Sequence, residues 1–155
     1  MKETKTNVMR LLDAAKIKYV EHVYDPELTD GQAVAAALGQ DPTHVFKTLV
    51  TTGASGAHFV FCVPVNRTLN LKKAAKAAGE KSIEMLAQRE LLPLTGYIHG
   101  GCSPVGMKKR FATFFDAAAE TAATLIVSAG RRGFQIEVPP ATLCAYVRGA
   151  FADLV

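Results

Sequence analysis

Cysteine is scarce in this chain and its spacing is uninformative for metal or redox chemistry. Cys62, Cys102 and Cys144 are the only three, and no two form a Cys-x-x-Cys pair, so neither a zinc site nor a dithiol motif is offered. The four histidines, His22, His44, His58 and His99, also lack metal-ligand spacing. No metal and no cofactor is expected. Long apolar runs are missing as well, and none approaches the roughly 20 residues that cross a bilayer. The polar start, Met1-Lys2-Glu3-Thr4-Lys5, reads as no leader peptide. The expectation is therefore a protein of the reducing cytoplasm with no membrane partner. A phosphate loop is absent too. Gly101 and Gly106 have its glycine spacing, but Met107 follows where a lysine must stand, which argues against an ATPase or GTPase.

What is present suits a globular protein. The chain has 155 residues, 49% of them hydrophobic and 21% charged, enough for one domain over 1–155 with a real core. No repeat, low-complexity tract or linker divides it. The net charge of +4 is compatible with an anionic partner without requiring one.

Helical and strand periodicities alternate along the chain. Val8, Leu11, Leu12 and Ala15 recur at helical spacing. Residues 17–24 read as a strand ended by Asp25-Pro26. Asp30 can cap a helix that Gly39 closes. Residues 45–52 and 58–65 are rich in β-formers around Gly53-Ala54-Ser55-Gly56, a hairpin signal. Asn70 opens a helix with Leu71, Ala74, Ala75 and Ala78 on one face, Lys72, Lys73 and Lys76 on the other, and Gly79 at its stop. A short strand near Ile83 precedes a helical stretch broken by Pro93. A glycine-rich loop from Gly96 to Gly106, strands near Phe114, over 124–128 and over 134–138, and a last helix after Pro139-Pro140 complete the reading. Such interspersion predicts an α/β chain of the α+β kind: a compact mixed β-barrel or sheet flanked by helices.

Several residues could carry chemistry. Lys47 stands in the apolar run Val45-Phe46-Lys47-Thr48-Leu49, aligned by alternation with Val45 and Leu49. A lysine there either meets an anion or snorkels to water from a strand edge. The paired glycines Gly100-Gly101 either make a tight turn or aim backbone N–H groups at a ligand. Cys102 with His99 as its base could be a nucleophile pair. Basic residues fall into three clusters: the lysines after Asn70, then Lys108, Lys109 and Arg110, then Arg131 and Arg132. These are solvated faces or a surface for an anionic polymer. Few exposed aromatics argue against a base-stacking platform.

Four ordered motifs across the chain, Phe46-Lys47-Thr48-Leu49, Leu69-Asn70-Leu71-Lys72-Lys73-Ala74-Ala75, Gly96-Tyr97 with Gly100-Gly101-Cys102-Ser103-Pro104-Val105-Gly106, and Ser128-Ala129-Gly130-Arg131-Arg132-Gly133, together resemble the YbaK/EbsC family. These are freestanding editing proteins related to the insertion domain of bacterial prolyl-tRNA synthetase. The resemblance is closest to the YbaK branch and implies removal of cysteine from mischarged tRNA(Pro) without a metal. It implies Lys47, Gly100 and Gly101 as the catalytic set, and Tyr24, Thr48, Ser128 and Gln135 around the substrate. Gln135 departs from the pattern, standing where some relatives have a carboxylate, and Leu28 stands near a position that can be aromatic in relatives. Lys72, Lys73, Lys76, Lys108, Arg131 and Arg132 would contact tRNA. A transient complex with prolyl-tRNA synthetase is also implied. The rival expectations are a deacylase for another small amino acid such as alanine, a hydrolase using Cys102 and His99, and a non-catalytic module that binds tRNA or a synthetase.

Overall fold

The computed structural model describes residues 5–155; the polar start at Met1 to Thr4 lies outside them. Helix α1 (Asn7–Ala14) begins at Thr6, whose side chain accepts from Met9 N–H, and it buries Val8, Met9 and Leu12. Strand β1 (Val20–Val23) leads to α2 (Gly31–Leu38). Asp30 caps α2 through its carboxylate, and Gly39 ends it at φ 64°, a left-handed backbone that glycine adopts without a steric cost. The expected hairpin forms as β2 (Phe46–Gly53) and β3 (His58–Pro64), paired in register from Phe46–Pro64 to Thr52–His58.

Helix α3 (Leu71–Ala78) is capped as expected, with Asn70 Oδ1 accepting from the N–H groups of Lys72 and Lys73. Its packed face is narrower than the periodicity suggests. Ala74 and Ala75 are buried, whereas Leu71 is 41% exposed; Leu69, just upstream, occupies the core beside Phe61, Ile83 and Leu154 instead.

Strand β4 (Ile83–Met85) and helix α4 (Gln88–Thr95) follow. The helix does not break at Pro93, which lies inside it. Only the carbonyl of exposed Arg89, one turn back, loses its helical donor. The end of the helix is held by other bonds: Thr95 Oγ1 donates to Leu91 O at 2.8 Å and Gly96 N to Leu92 O at 2.9 Å.

Strand β5 (Ala112–Asp116) runs into a 3₁₀ turn over Ala117–Thr121. Strands β6 (Leu125–Ser128) and β7 (Phe134–Val138), helix α5 (Pro140–Tyr146) and strand β8 (Ala150–Ala152) close the chain. The 3₁₀ turn and β8 have no counterpart in the sequence reading.

Two sheets result. One has the order β1-β7-β6, all antiparallel, and the other the order β4-β2-β3-β5-β8, with β3, β5 and β8 parallel. A mixed architecture flanked by helices is thus present, but the barrel is not closed. The sheets meet at a bridge between Val45 and Ile126, where Ile126 N donates to His44 O at 2.9 Å. Closure requires every strand to pair on both sides. Here β1 is an edge with Val20 and Val23 more than half exposed.

The main core lies between α1, the sheets and α5, and a second lies under α3. A third, small cluster of Ala35, Val45, Val65 and Ile126 fills the junction of the two sheets beneath α2. That junction opens into a cavity.

Candidate active site

The cavity has a volume of about 420 Å³. Its walls come from β2, the start of α2, the ends of β6 and β7, and the glycine-rich loop. Tyr24, Lys47, Thr48, Gly100, Ser128 and Gln135 all line it, although they are scattered over more than a hundred positions of sequence. The register explains part of this gathering. Ser128 is directly opposite Gln135 on β7, so both side chains share one face.

Lys47 is half-buried on β2, and burial pulls its pKa below the ordinary lysine range, with Asp30 acting in the opposite sense. Among the described residues it makes no ion pair. A partly desolvated ammonium without an anion is a binding group awaiting one. Thr48 faces the neighbouring strand, its hydroxyl 3.7 Å from Cys62 Sγ.

Gln135 is 5% exposed, and its Oε1 accepts from Gln40 Nε2 at 2.9 Å. Ser128 Oγ accepts from Gly130 N–H at 3.1 Å, which anchors the turn before Arg131. Tyr24 is held by its backbone, its N–H donating to Gly133 O at 2.9 Å.

The paired glycines have different roles. Gly100 has φ 86°, and a Cβ there would meet Arg132 Nε and Thr29 at 3.2 Å. Its N–H has no acceptor among the described residues. Gly101 does not line the cavity. Its N–H donates to Ile98 O at 2.9 Å, and a Cβ would sit 3.1 Å from the backbone nitrogen of Arg132. It is a close-packing glycine behind the wall, and its N–H is already engaged.

Cys102 and His99 both reach the cavity, yet no hydrogen bond joins them. Burial pushes the Cys102 thiol up to about 12, and the buried Cys62 thiol also to about 12. Both are neutral thiols at physiological pH, and a neutral thiol is a poor nucleophile.

The expected tRNA contacts are scattered. None of Lys72, Lys73, Lys76, Lys108, Arg131 or Arg132 lies on the cavity wall. Lys73 is bound to Asp153 at 3.0 Å and to the Val155 carbonyl at 2.6 Å. Lys108 Nζ reaches Pro93 O at 3.4 Å. Arg131 stacks over the Phe134 ring at 5.4 Å. Arg132 Nε donates to His99 O at 2.8 Å, clamping the glycine turn at the cavity edge. Lys72 and Lys76 are exposed.

Sequence reasoning missed Thr29, Asp30, Gly31, Val34, Val65 and Leu91 on the wall. Leu28, near the expected aromatic position, is not among the lining residues; its neighbours Thr29 and Asp30 are. Asp30 was visible only as a helix cap, a role that conceals its second position.

Comparisons with known proteins converge on one family. A model of the aminoacyl-tRNA editing domain matches residues 25–145. The Enterococcus faecalis protein "Putative Cys-tRNA(Pro)/Cys-tRNA(Cys) deacylase EbsC" is 42% identical over 154 residues, covering 98% of this chain and 94% of that one. The proline–tRNA ligase of Fervidobacterium nodosum is 32% identical over 98 residues, 63% of this chain but 17% of the ligase. The fold matches the solved structure of "a putative trans-editing enzyme for prolyl tRNA synthetase", with TM-score 0.80, 23% identity and 98% coverage of both chains. It also matches "hypothetical protein APE2540", with TM-score 0.87, 22% identity and coverage of 95% and 97%. With every cavity-lining residue but Tyr24 inside the matched segment, the chain belongs to the aminoacyl-tRNA editing domain family.

Proposed function

We propose that the whole chain acts in the cytoplasm as one freestanding editing domain that removes cysteine from Cys-tRNA(Pro), and by the same chemistry from Cys-tRNA(Cys). The observation that carries this reading is Lys47, a half-buried ammonium with no ion-pair partner among the described residues, set in a cavity with Tyr24, Ser128 and Gln135. A tRNA terminus supplies the missing anion as the phosphate of its last nucleotide.

An aminoacyl ester is already activated, so the protein has to hold it and stabilise developing negative charge. Lys47 grips the ribose–phosphate end. The Gly100 N–H, which has no acceptor of its own among the described residues, polarises the ester carbonyl; the Gly101 N–H, donated to Ile98, does not. Tyr24, Ser128 and Gln135 enclose the aminoacyl group.

The nucleophile is the substrate's own thiol. Its sulfur attacks the carbonyl carbon, the bond from that carbon to the ribose oxygen breaks, and the thiol proton ends on that oxygen. The products are uncharged tRNA and a cyclic thioester of cysteine. Holding sulfur and carbonyl together can supply an effective molarity of about 10⁵ M. Cys102, a buried neutral thiol, is not required.

A transient complex with prolyl-tRNA synthetase would deliver tRNA(Pro) before it leaves for the ribosome; the sequence kinship with proline–tRNA ligases supports that partner. The test is deacylation of tRNA(Pro) charged separately with cysteine, alanine and proline. Fastest release of cysteine is expected. Fastest release of alanine would move the protein to a different editing specificity, and binding of charged tRNA without accelerated release would make it a binding module.

A further inference from the structure

The cavity wall holds a carboxylate that the mechanism above leaves idle. Asp30 lines the cavity and is the one Asp or Glu among its described lining residues. Its Oδ2 caps α2, accepting from Ala33 N at 3.2 Å. Its Oδ1 meets no donor among the described residues, and the side chain is exposed. Lys47 senses this charge across the cavity, yet the two groups are not in ion-pair contact.

Two opposite charges held apart across an open space suit a ligand that carries both. The end of a charged tRNA is such a ligand: a phosphate at one side and, across the ester, a basic α-amino group that takes up a proton near neutral pH. With the phosphate at Lys47, Asp30 is the carboxylate that the described wall offers the ammonium.

We propose that Asp30 binds the α-ammonium group of the aminoacyl ester, so that the cavity requires a free amino group as well as the ester. This subsite rests on the reading of Lys47 as the phosphate grip. It has a consequence for selectivity. Peptidyl-tRNA carries the same ester, but its α-nitrogen is a neutral amide, so the carboxylate would leave a growing chain unbound and intact. The discrimination comes from the contact itself: the exposed carboxylate gains a charge-assisted hydrogen bond from an ammonium and none of that strength from a neutral amide.

The test compares two substrates on tRNA(Pro): the cysteinyl ester and the β-mercaptopropionyl ester, which keeps the thiol and lacks the amino group. Asp30→Asn is the clean variant, because asparagine caps helices as well as aspartate does, so α2 should remain intact and the melting temperature unchanged. The expected result is a loss of roughly 10-fold to 100-fold in kcat/KM on the cysteinyl ester, with no change on the β-mercaptopropionyl ester. Lys47→Ala should instead slow both substrates by a similar factor. Equal losses on both substrates for Asp30→Asn, or no loss on either, would overturn the proposal. An unaltered rate for Lys47→Ala would overturn the phosphate grip alone, since the substrate ratio for Asp30→Asn reads the ammonium contact by itself.

Discussion

The lysine-rich helix α3 and the cavity wall make an instructive pair. Both are rich in polar groups, and by charge density α3 looks the more functional. Its polar atoms are nevertheless met within the chain or, at the exposed Lys72 and Lys76, by water. Asn70 takes two helix N–H groups, Gly79 N–H closes the last turn, and Lys73 ties the helix to Asp153 and the Val155 carbonyl. In the cavity, the half-buried ammonium of Lys47 and the N–H of Gly100 meet no partner among the described residues, and one oxygen of the exposed Asp30 carboxylate is left over beside them. Unfinished hydrogen bonding in a concave site points to a ligand better than a run of charges does, because polar groups removed from water are ordinarily paired.

Variants can break or sharpen this contrast. The largest effect belongs to the cavity. Lys47→Met should lower kcat/KM for Cys-tRNA(Pro) by about 100-fold or more. Thermal unfolding of the same variant should shift slightly upward, because a desolvated ammonium is being removed. The sign follows from proton linkage. With its pKa lowered on folding, Lys47 binds fewer protons folded than unfolded at alkaline pH, so its cost is greatest below the folded pKa and fades as pH rises through that value. A fall in stability for Lys47→Met would mean that the lysine holds the fold.

Next comes Gly101→Ala. The added methyl would press on the Arg131–Arg132 backbone and should cost about 1–3 kcal/mol, measurable by urea unfolding, with activity falling as the neighbouring Gly100 shifts. On the other side of the comparison, Lys73→Ala should cost about 1 kcal/mol or less and leave deacylation per folded molecule within about twofold. If it destroyed activity with the fold intact, α3 would have to be counted as part of the substrate site. The smallest effect is expected from Cys102→Ser, which should keep most of the rate in the same assay. Near-total loss would restore the protein thiol as nucleophile.

Much of the frame was legible in the sequence because its signals are local. Asp30, Asn70, Gly39 and Gly79 mark helix ends through caps that operate within four residues. The β2–β3 hairpin is announced by its glycine turn, and Lys47 by its misfit among apolar neighbours. What stayed hidden is long-range. Strand β1 pairs with β7 across the length of the chain, Val20 opposite Glu137 and Val23 opposite Phe134, and that pairing sets Gln135 into the cavity. No periodicity encodes a partner so far away. Pro93 misled for an energetic reason: its missing N–H leaves only the exposed Arg89 carbonyl, near the start of α4, without a helical donor, so the helix continues. Gly101 was expected to donate to the substrate, and only its bond to Ile98 and the Arg132 backbone against it reveal a packing role. Arg131 and Arg132, which the sequence offers as a solvated face or an anion-binding cluster, also hold the Phe134 ring and the His99 carbonyl, contacts that no local pattern announces.

The most direct measurement is the affinity of a non-hydrolysable mimic of the tRNA end, cysteine in amide linkage to the ribose of adenosine, made with and without a 5′-phosphate. For the native protein the phosphate should tighten binding by roughly tenfold or more, and Lys47→Ala should erase that gain while leaving the phosphate-free mimic unaffected. Equal affinity for the two mimics in the native protein, or an undiminished phosphate gain in Lys47→Ala, would contradict the account.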